Sequence, residues 1–285
     1  VVLASDPDAD RIGCAAPLAR GAAWQTLSGN QIAVLLADFI LRHKQAAGTL
    51  TKDHYLVKTL VTTDMLRRLA DYYGIRTIGN LLTGFRWISA AVDEFGPEKC
   101  VLACEEAHGY MIGHYARDKD AASAAMLLAE AAAEAKAHGR TLHEELARLY
   151  GLVGYHEERT HSIALPGADG LAAMRSMMQR LRSHPPRSLA GWHVVQLRDY
   201  LQGVRQRGGA PSATLEGPRG DLVLLDLEAH GNYAAVRPSG TEPKLKIYLF
   251  AHRGPVEADS LERVKSDVCR QMAAMESDLL ASMAV

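Results

Sequence analysis

The chain has 285 residues, a length for about two domains at roughly 150 residues each. Its 32 basic and 33 acidic residues leave a formal net charge of −1. That excludes a broad electrostatic platform for nucleic acid or an anionic membrane, so any anionic ligand must be held by a few placed groups. With 48% hydrophobic and 23% charged residues the chain has the composition of a folded globular protein rather than a disordered one.

Apolar runs such as Ile32 to Leu36 and Phe39 to Leu41 are interrupted by Asp38 and Arg42. They fall far short of the ~20 residues that a membrane span needs. The four cysteines (Cys14, Cys100, Cys104, Cys269) form no disulfide framework. They read as reduced thiols packed as small hydrophobes. With no secretory leader pattern, the expected compartment is the cytoplasm. The chain begins Val1-Val2-Leu3, without Met.

In chain order, Val1 to Ala4 reads as a buried strand running into the polar turn Ser5 to Asp10, with a second strand at Ile12 to Ala16. Ser28 opens a helix whose apolar face is Ile32, Leu35, Leu36, Phe39 and Ile40. A strand at Tyr55 to Val61 leads through Thr62-Thr63-Asp64 into a helix closed by Gly74. Ile75 to Ile78 is a strand, Trp87 to Phe95 a helix, and Lys99 to Ala103 a buried strand. Asp120 opens an alanine-rich helix that stops at Gly139, and Thr141 with Glu144 forms a capping box for another. The alternation predicts βαβ units and a mainly parallel sheet with helices on both faces. The loops after Ala4 and Ala103 then fall at strand C-terminal ends, where such sheets carry ligands.

Gly151 to Ser162 reads as a polar connector and a domain boundary. Beyond it come a helix (Leu171 to Arg182), a strand (Trp192 to Leu197), a Gly/Pro-rich stretch (Gly203 to Gly220) and a strand (Leu222 to Leu227). Strands Tyr233 to Val236 and Leu245 to Phe250 follow. A last helix aligns Leu261, Val264, Val268, Met272, Met275 and Leu279. The expected architecture is a mixed, mainly parallel α/β domain followed by a smaller α+β domain.

Five constellations carry chemistry, each with a plainer reading beside it. Asp6, Asp8 and Asp10 alternate on a loop stiffened by Pro7. They form either a site for one hard divalent cation, with Mg²⁺ preferred to Ca²⁺, or a solvated acidic turn. An EF-hand fails, because Arg11 stands at the loop's glycine position and Pro17 at its bidentate glutamate. Arg237-Pro238-Ser239-Gly240-Thr241-Glu242-Pro243-Lys244 offers a guanidinium, two hydroxyls, turn amides and the cation of Lys244, as an anion cradle or a plain hairpin turn. Glu105-Glu106-Ala107-His108 offers carboxylates to sugar hydroxyls, or is a surface acid pair. Arg117-Asp118-Lys119-Asp120 gives Lys119 as a phosphate contact or proton donor, or merely a helix cap. Thr83 to Trp87 is a glycine turn into a helix with the cation Arg86, or a plain helix start.

In this order, DPDADR at Asp6 to Arg11, LTGFRW at Leu82 to Trp87, EEAHGY at Glu105 to Tyr110, RDKD at Arg117 to Asp120 and RPSGTEPK at Arg237 to Lys244 resemble the α-D-phosphohexomutase superfamily, most of all its bacterial phosphoglucomutase/phosphomannomutase branch. The resemblance implies an enzyme of four α/β domains that interconverts hexose 1-phosphate and 6-phosphate. It would do so through a phosphoserine, Mg²⁺ and a bisphosphorylated sugar such as glucose 1,6-bisphosphate.

Carried over, Asp6, Asp8 and Asp10 are the metal ligands and Arg11 neighbours the phosphoserine. Lys119 is an acid/base or phosphate contact. Glu105, Ala107, His108, Arg86 and Arg117 face the sugar phosphate. Arg237, Ser239, Gly240, Thr241 and Lys244 hold the non-reacting phosphate. Ala107 replaces a common serine, and Arg86 replaces a commoner lysine and does not deprotonate. Residues 1–24 would be the end of the second mutase domain, 25–150 the sugar-binding third and 151–285 the phosphate-binding fourth. The TASHNP-like serine loop of the family has no counterpart in the sequence, so the chain alone is expected to be inactive. A non-catalytic phosphosugar-binding module, a phosphopentomutase, and a phosphatase using Asp6 or Asp8 as nucleophile are the alternatives.

Overall fold

A computed structural model describes every residue except Gly209, Thr241 and Val285. The described residues divide into two compact units, residues 1–155 with 254–258 and residues 156–253 with 259–285.

The first unit begins with β1 (Val2–Ser5), β2 (Ile12–Pro17) and β3 (Trp24–Leu27), an antiparallel sheet in the order β1-β2-β3. There follow α1 (Gly29–Ala46), β4 (Tyr55–Thr59), α2 (Met65–Tyr73), β5 (Arg76–Leu81), α3 (Phe85–Phe95), β6 (Cys100–Cys104), β7 (Tyr110–Met111), α4 (Ala121–Ala137) and α5 (Leu142–Val153). The second sheet runs β5-β4-β6-β7; β4 is parallel to both β5 and β6, and β7 returns antiparallel. All residues of β4 and β6 are buried, as expected of strands covered on both faces. Tyr55 and Val57 pack with Phe85, Ile88, Ala91 and Val92 of α3. Lys58 points to the opposite side, against Arg67 of α2, where a Cβ on Gly79 would crowd both.

The helix starts follow their capping chemistry. Ser28 Oγ accepts from the Gln31 amide and Gln31 Oε1 from the Ser28 amide, and Thr141 with Glu144 repeats the pattern at α5. Thr63 Oγ1, rather than Asp64, accepts an amide at the start of α2, from Met65. Gly74 closes α2 at φ +70°, a left-handed conformation open to glycine at no steric cost. A buried polar hub joins the helices. Asp38 of α1 pairs with Arg42 (2.9 Å) and Arg148 of α5 and accepts from Tyr73 Oη of α2 (2.9 Å).

The second unit has β8 (Tyr155–Ala164), α6 (Gly167–Ser183), β9 (Ser188–Leu189), β10 (Trp192–Asp199), β11 (Val204–Arg207), β12 (Ala213–Thr214), β13 (Val223–Leu227), β14 (Tyr233–Pro238), β15 (Lys244–Arg253) and α7 (Leu261–Met283). Its sheet runs β12-β11-β10-β13-β14-β15-β8, with β9 beside β10. Of the expected α7 stripe, Leu261, Val268, Met272, Met275 and Leu279 are buried as their spacing requires, and Val264 is half-buried.

Four expectations are corrected. Val1 to Ala4 is not a buried strand: β1 is the edge of the antiparallel sheet and Val2 is 57% exposed. The acidic loop is therefore the turn of a β1–β2 hairpin, not the C-terminal end of a parallel strand. The segment from Gly151 to Ser162 is not a connector. α5 continues to Val153 and β8 begins at Tyr155, its alternating exposure allowing a polar strand. Of the cysteines, Cys14, Cys100 and Cys104 are buried but Cys269 on α7 is exposed. No helix among the described residues is long and apolar enough to cross a membrane.

Candidate functional site

The acidic hairpin turn is shaped by its own backbone. Asp6 Oδ1 accepts from the amides of Asp10 (3.2 Å) and Arg11 (3.1 Å). Ala9 sits at φ +56°, a conformation that costs a residue with a Cβ of order 1 kcal/mol and persists where surroundings demand it. The result brings one carboxylate oxygen each from Asp6, Asp8 and Asp10 within 4.8 Å of one another. Solvation loss pushes the Asp6 carboxyl up, but the Arg11 and Asp10 amides outweigh it and hold it below the usual carboxylate range. Asp10 Oδ1 is buried and accepts no hydrogen bond from the described residues. An all-oxygen donor set with one buried oxygen lacking a donor fits a hard divalent cation.

Lys119 gathers the other segments at this turn. Its ammonium lies 3.1 Å from Asp10 Oδ2 and 2.9 Å from Asp118 Oδ1, and 4.9 Å from the centre of the Phe85 ring. Burial opposes its charge, yet the hydrogen bonds to Asp118 and Asp10 win and hold it above the usual lysine range. A Cβ on Gly109 would strike the Lys119 side chain, so only glycine lets the lysine cross the strand there. Asp120, which caps α4 through the Ala122 and Ser123 amides, fixes the segment that carries Lys119.

Glu105 directly follows β6, and its Oε1 accepts from the Gly84 amide at 2.9 Å. The sugar-type loop and the glycine turn before α3 are thus joined. The loop's backbone also meets the acidic hairpin. The Ile12 amide donates to the His108 carbonyl at 3.2 Å, Arg11 forms a β-bridge with Gly109, and the Ala121 amide donates to Ala9 O at 3.1 Å.

The structure therefore brings Asp6, Asp8, Asp10, Arg11, Lys119, Glu105 and His108 into one connected assembly. Ala107 is exposed in the same loop. Two expected residues point their charge elsewhere. Arg86 is exposed with its guanidinium over the Trp87 ring. Arg117 is held by Asp93 of α3 at 2.6 Å and by the His114 carbonyl.

In the second unit, Arg237 and Lys246 are cross-strand partners at the mouth of the β14–β15 hairpin. Like charges placed opposite each other are unfavourable until an anion joins them. Arg237 Nε reaches Tyr248 Oη (3.3 Å), Ser239 N donates to Lys244 O (2.8 Å), and Lys244 pairs with Glu242 (3.1 Å). A Cβ at Gly240 would meet nothing within 4 Å, so the protein's own packing does not require glycine there. Thr241 lies outside the described residues.

Sequence reasoning missed three supports: the Gly84 amide, Gly29 and Tyr110. Gly29 opens α1 directly against the sugar-type loop. A Cβ there would collide with the Glu106 carbonyl and come within 2.8 Å of the His108 nitrogen, and Tyr110 Oη donates to Gly29 O at 2.8 Å. A glycine in a helix's first turn, where a stronger former would stabilise more, was the available signal.

Residues 28–152 match the sequence family described as phosphoglucomutase/phosphomannomutase, alpha/beta/alpha domain III. A phosphoglucomutase of Staphylococcus aureus (strain MRSA252) is 31% identical over 251 residues, covering 87% of this chain and 44% of the relative. Among solved structures, the open form of a Paramecium phosphoglucomutase, parafusin, superposes with a TM-score of 0.61 at 16% identity, over 98% of this chain and 45% of its own. A phosphoglucomutase/phosphomannomutase family protein of Burkholderia thailandensis gives a TM-score of 0.51 at 15% identity, over 96% and 46%. At such identities the two structures establish the fold alone. The chain spans about half the length of the relatives it matches. Over residues 28–152 the chain is similar to the phosphoglucomutase/phosphomannomutase family, and over 251 residues to phosphoglucomutases.

Proposed function

We propose that this chain is the metal-, sugar- and phosphate-binding part of a phosphohexomutase, which interconverts hexose 1-phosphate and hexose 6-phosphate through a phosphoserine and a bisphosphorylated sugar. The observation that carries the reading is the meeting of distant segments at Asp10 and Lys119, with the Glu105 loop bridged to the same hairpin. Phosphoryl transfer asks a protein mainly for positioning and charge, and these residues are those charges.

Asp6, Asp8 and Asp10 would hold Mg²⁺, which when bound offsets charge on the transferring phosphoryl oxygens. The Glu105 oxygen not used by Gly84 accepts a sugar hydroxyl. Lys119, held charged by two carboxylates, acts as a fixed cation and hydrogen-bond donor to phosphate rather than as a base. Arg11 takes the place beside the phosphoserine. Arg237, Ser239, Gly240, Thr241 and Lys244 hold the non-reacting phosphate, and the Arg237–Lys246 pair supplies its positive charge. The 285 residues contain no TASHNP-like stretch, so the chain alone binds substrate without turning it over.

Calorimetric titration with Mg²⁺ and glucose 1-phosphate, paired with a turnover assay primed by a trace of glucose 1,6-bisphosphate, tests this. The expected result is binding of both and no rate above a metal-free blank. Absence of phosphosugar binding overturns the function; a rate above the blank overturns the inactivity; release of free phosphate supports the phosphatase reading instead.

A further inference from the structure

His108 stands in the sugar-type loop, where its place in the motif suggests a substrate contact. Its geometry says otherwise. The ring Nδ1 lies 3.2 Å from the Ile12 carbonyl, two residues past Asp10 on β2. The Ile12 amide in turn donates to the His108 carbonyl at 3.2 Å. Backbone and side chain of one residue therefore grip both polar groups of Ile12, and Nδ1 must carry its proton to donate.

Two further observations show that this grip is built. His108 sits at φ +67°, a region where a residue with a Cβ is strained and stays only if its surroundings insist. Behind it, Gly29 leaves room for the loop, since a Cβ there would come within 2.8 Å of the His108 nitrogen. α1 thus presses the loop from one side while the ring holds the hairpin on the other. Next along, Arg11 bridges Gly109 and the Ala9 carbonyl accepts from Ala121.

We propose that His108 is a positioning residue that latches loop 105–110 onto the hairpin carrying Asp6, Asp8 and Asp10, so that cation affinity at the aspartates depends on the seating of the sugar-type loop. The proposal rests on the metal-site reading above, not on the identity of the sugar. His108 acts through Ile12 and touches neither cation nor sugar. The hairpin's outer strand is an exposed edge, and without the latch the turn's three carboxylates sample wider separations, which weakens a site needing them together.

Two variants of the full 285-residue chain separate the latch from the strained backbone. Glycine accepts φ +67° without strain but has no donor. Asparagine tolerates the left-handed region and offers an amide N–H where Nδ1 stands. Mg²⁺ affinity is measured by titration calorimetry, and amide exchange is read without metal.

His108→Gly is expected to weaken Mg²⁺ binding about tenfold, as for loss of one buried hydrogen bond, and to speed exchange of the Ile12 and Ala121 amides while Leu56 and Leu102 keep their protection. His108→Asn is expected to recover most of both. Unchanged Mg²⁺ affinity in His108→Gly, unchanged Ile12 exchange, or failure of His108→Asn to recover either overturns the latch. A parent chain that binds no Mg²⁺ overturns the latch and the metal assignment together. A parent that binds Mg²⁺ but no glucose 1-phosphate overturns only the substrate reading.

Discussion

The two loops that carry most of the charge are built in opposite ways. The Arg237 loop is largely a local device. Its cross-strand partners and most of its hydrogen bonds lie between β14 and β15, two prolines stiffen it, and its one distant bond among the described residues is from the Leu165 amide to the Pro243 carbonyl at 2.8 Å. The Asp6 loop is a tertiary device. Its carboxylates converge through a left-handed Ala9, and its support comes from Lys119, Gly109, His108 and Ala121, about a hundred residues away. A local loop keeps its shape as long as its hairpin is paired. A tertiary loop can be disturbed from any of its distant supports. Distal substitutions in the first unit should therefore reach the acidic turn, whereas the Arg237 hairpin should answer mainly to its own residues and to Leu165.

The strongest way to break that contrast is Asp38→Ala. It removes the carboxylate shared by Arg42, Arg148 and Tyr73, while the arginines keep Glu134 and Glu145, so the cost is that of lost charge-assisted hydrogen bonds, about 2–3 kcal/mol. Loss of exchange protection should spread through α1, α2 and α5 and leave β14 and β15 unchanged; a uniform loss in both units would contradict independent construction.

Gly29→Ala comes next, because the new methyl meets backbone, not a yielding side chain. Overpacking of this kind costs typically 1–3 kcal/mol. Mg²⁺ titration should show weaker binding in this variant although Gly29 is no ligand, and an unaltered isotherm would mean that α1 does not set the loop.

Arg237→Lys sharpens the other side. It keeps the charge but loses the planar fork, so binding of glucose 1-phosphate or inorganic phosphate should weaken by about tenfold, roughly 1.4 kcal/mol. Mg²⁺ affinity should stay at the parent value in the same titration series.

The smallest expected effect is a pH response at the α4 cap. Solvation loss pushes the Asp120 carboxyl up, but bonds from Tyr115, Ser123 and Ala122 bring it down to about 2 from 3.8. A depressed folded value means that the cap contributes fully above the ordinary value and is lost as pH falls through the folded one. The Ala122 and Ser123 amide resonances should shift with a midpoint near 2; a midpoint at the ordinary 3.8 would show that the cap is not made.

Much of this was legible along the chain. The capping box at Thr141 and the helix start at Ser28 marked two helices because such signals are contained in a few residues. The α7 stripe followed from period alone. The errors fell where a neighbour decides: β1 looks apolar enough to be buried, but burial depends on what covers it, and β8 looks like a linker because one face of it meets solvent. At the candidate site, the residue types in Asp6 to Asp10 and Arg237 to Lys244 marked the oxygen-rich and cationic segments. Arg86, Arg117 and His108 read as ligand contacts by their place in a motif, and the structure adds that their side chains meet Trp87, Asp93 and Ile12.

The sequence by itself determined most of the elements and the donor types, because helix capping, periodicity and oxygen-rich or cationic motifs are short-range properties. Only the tertiary structure decided which donors share a site and which are engaged elsewhere. Convergence of Asp10, Lys119 and Glu105 depends on where glycines at 29 and 109 let segments pass within van der Waals contact, and no local pattern encodes that distance.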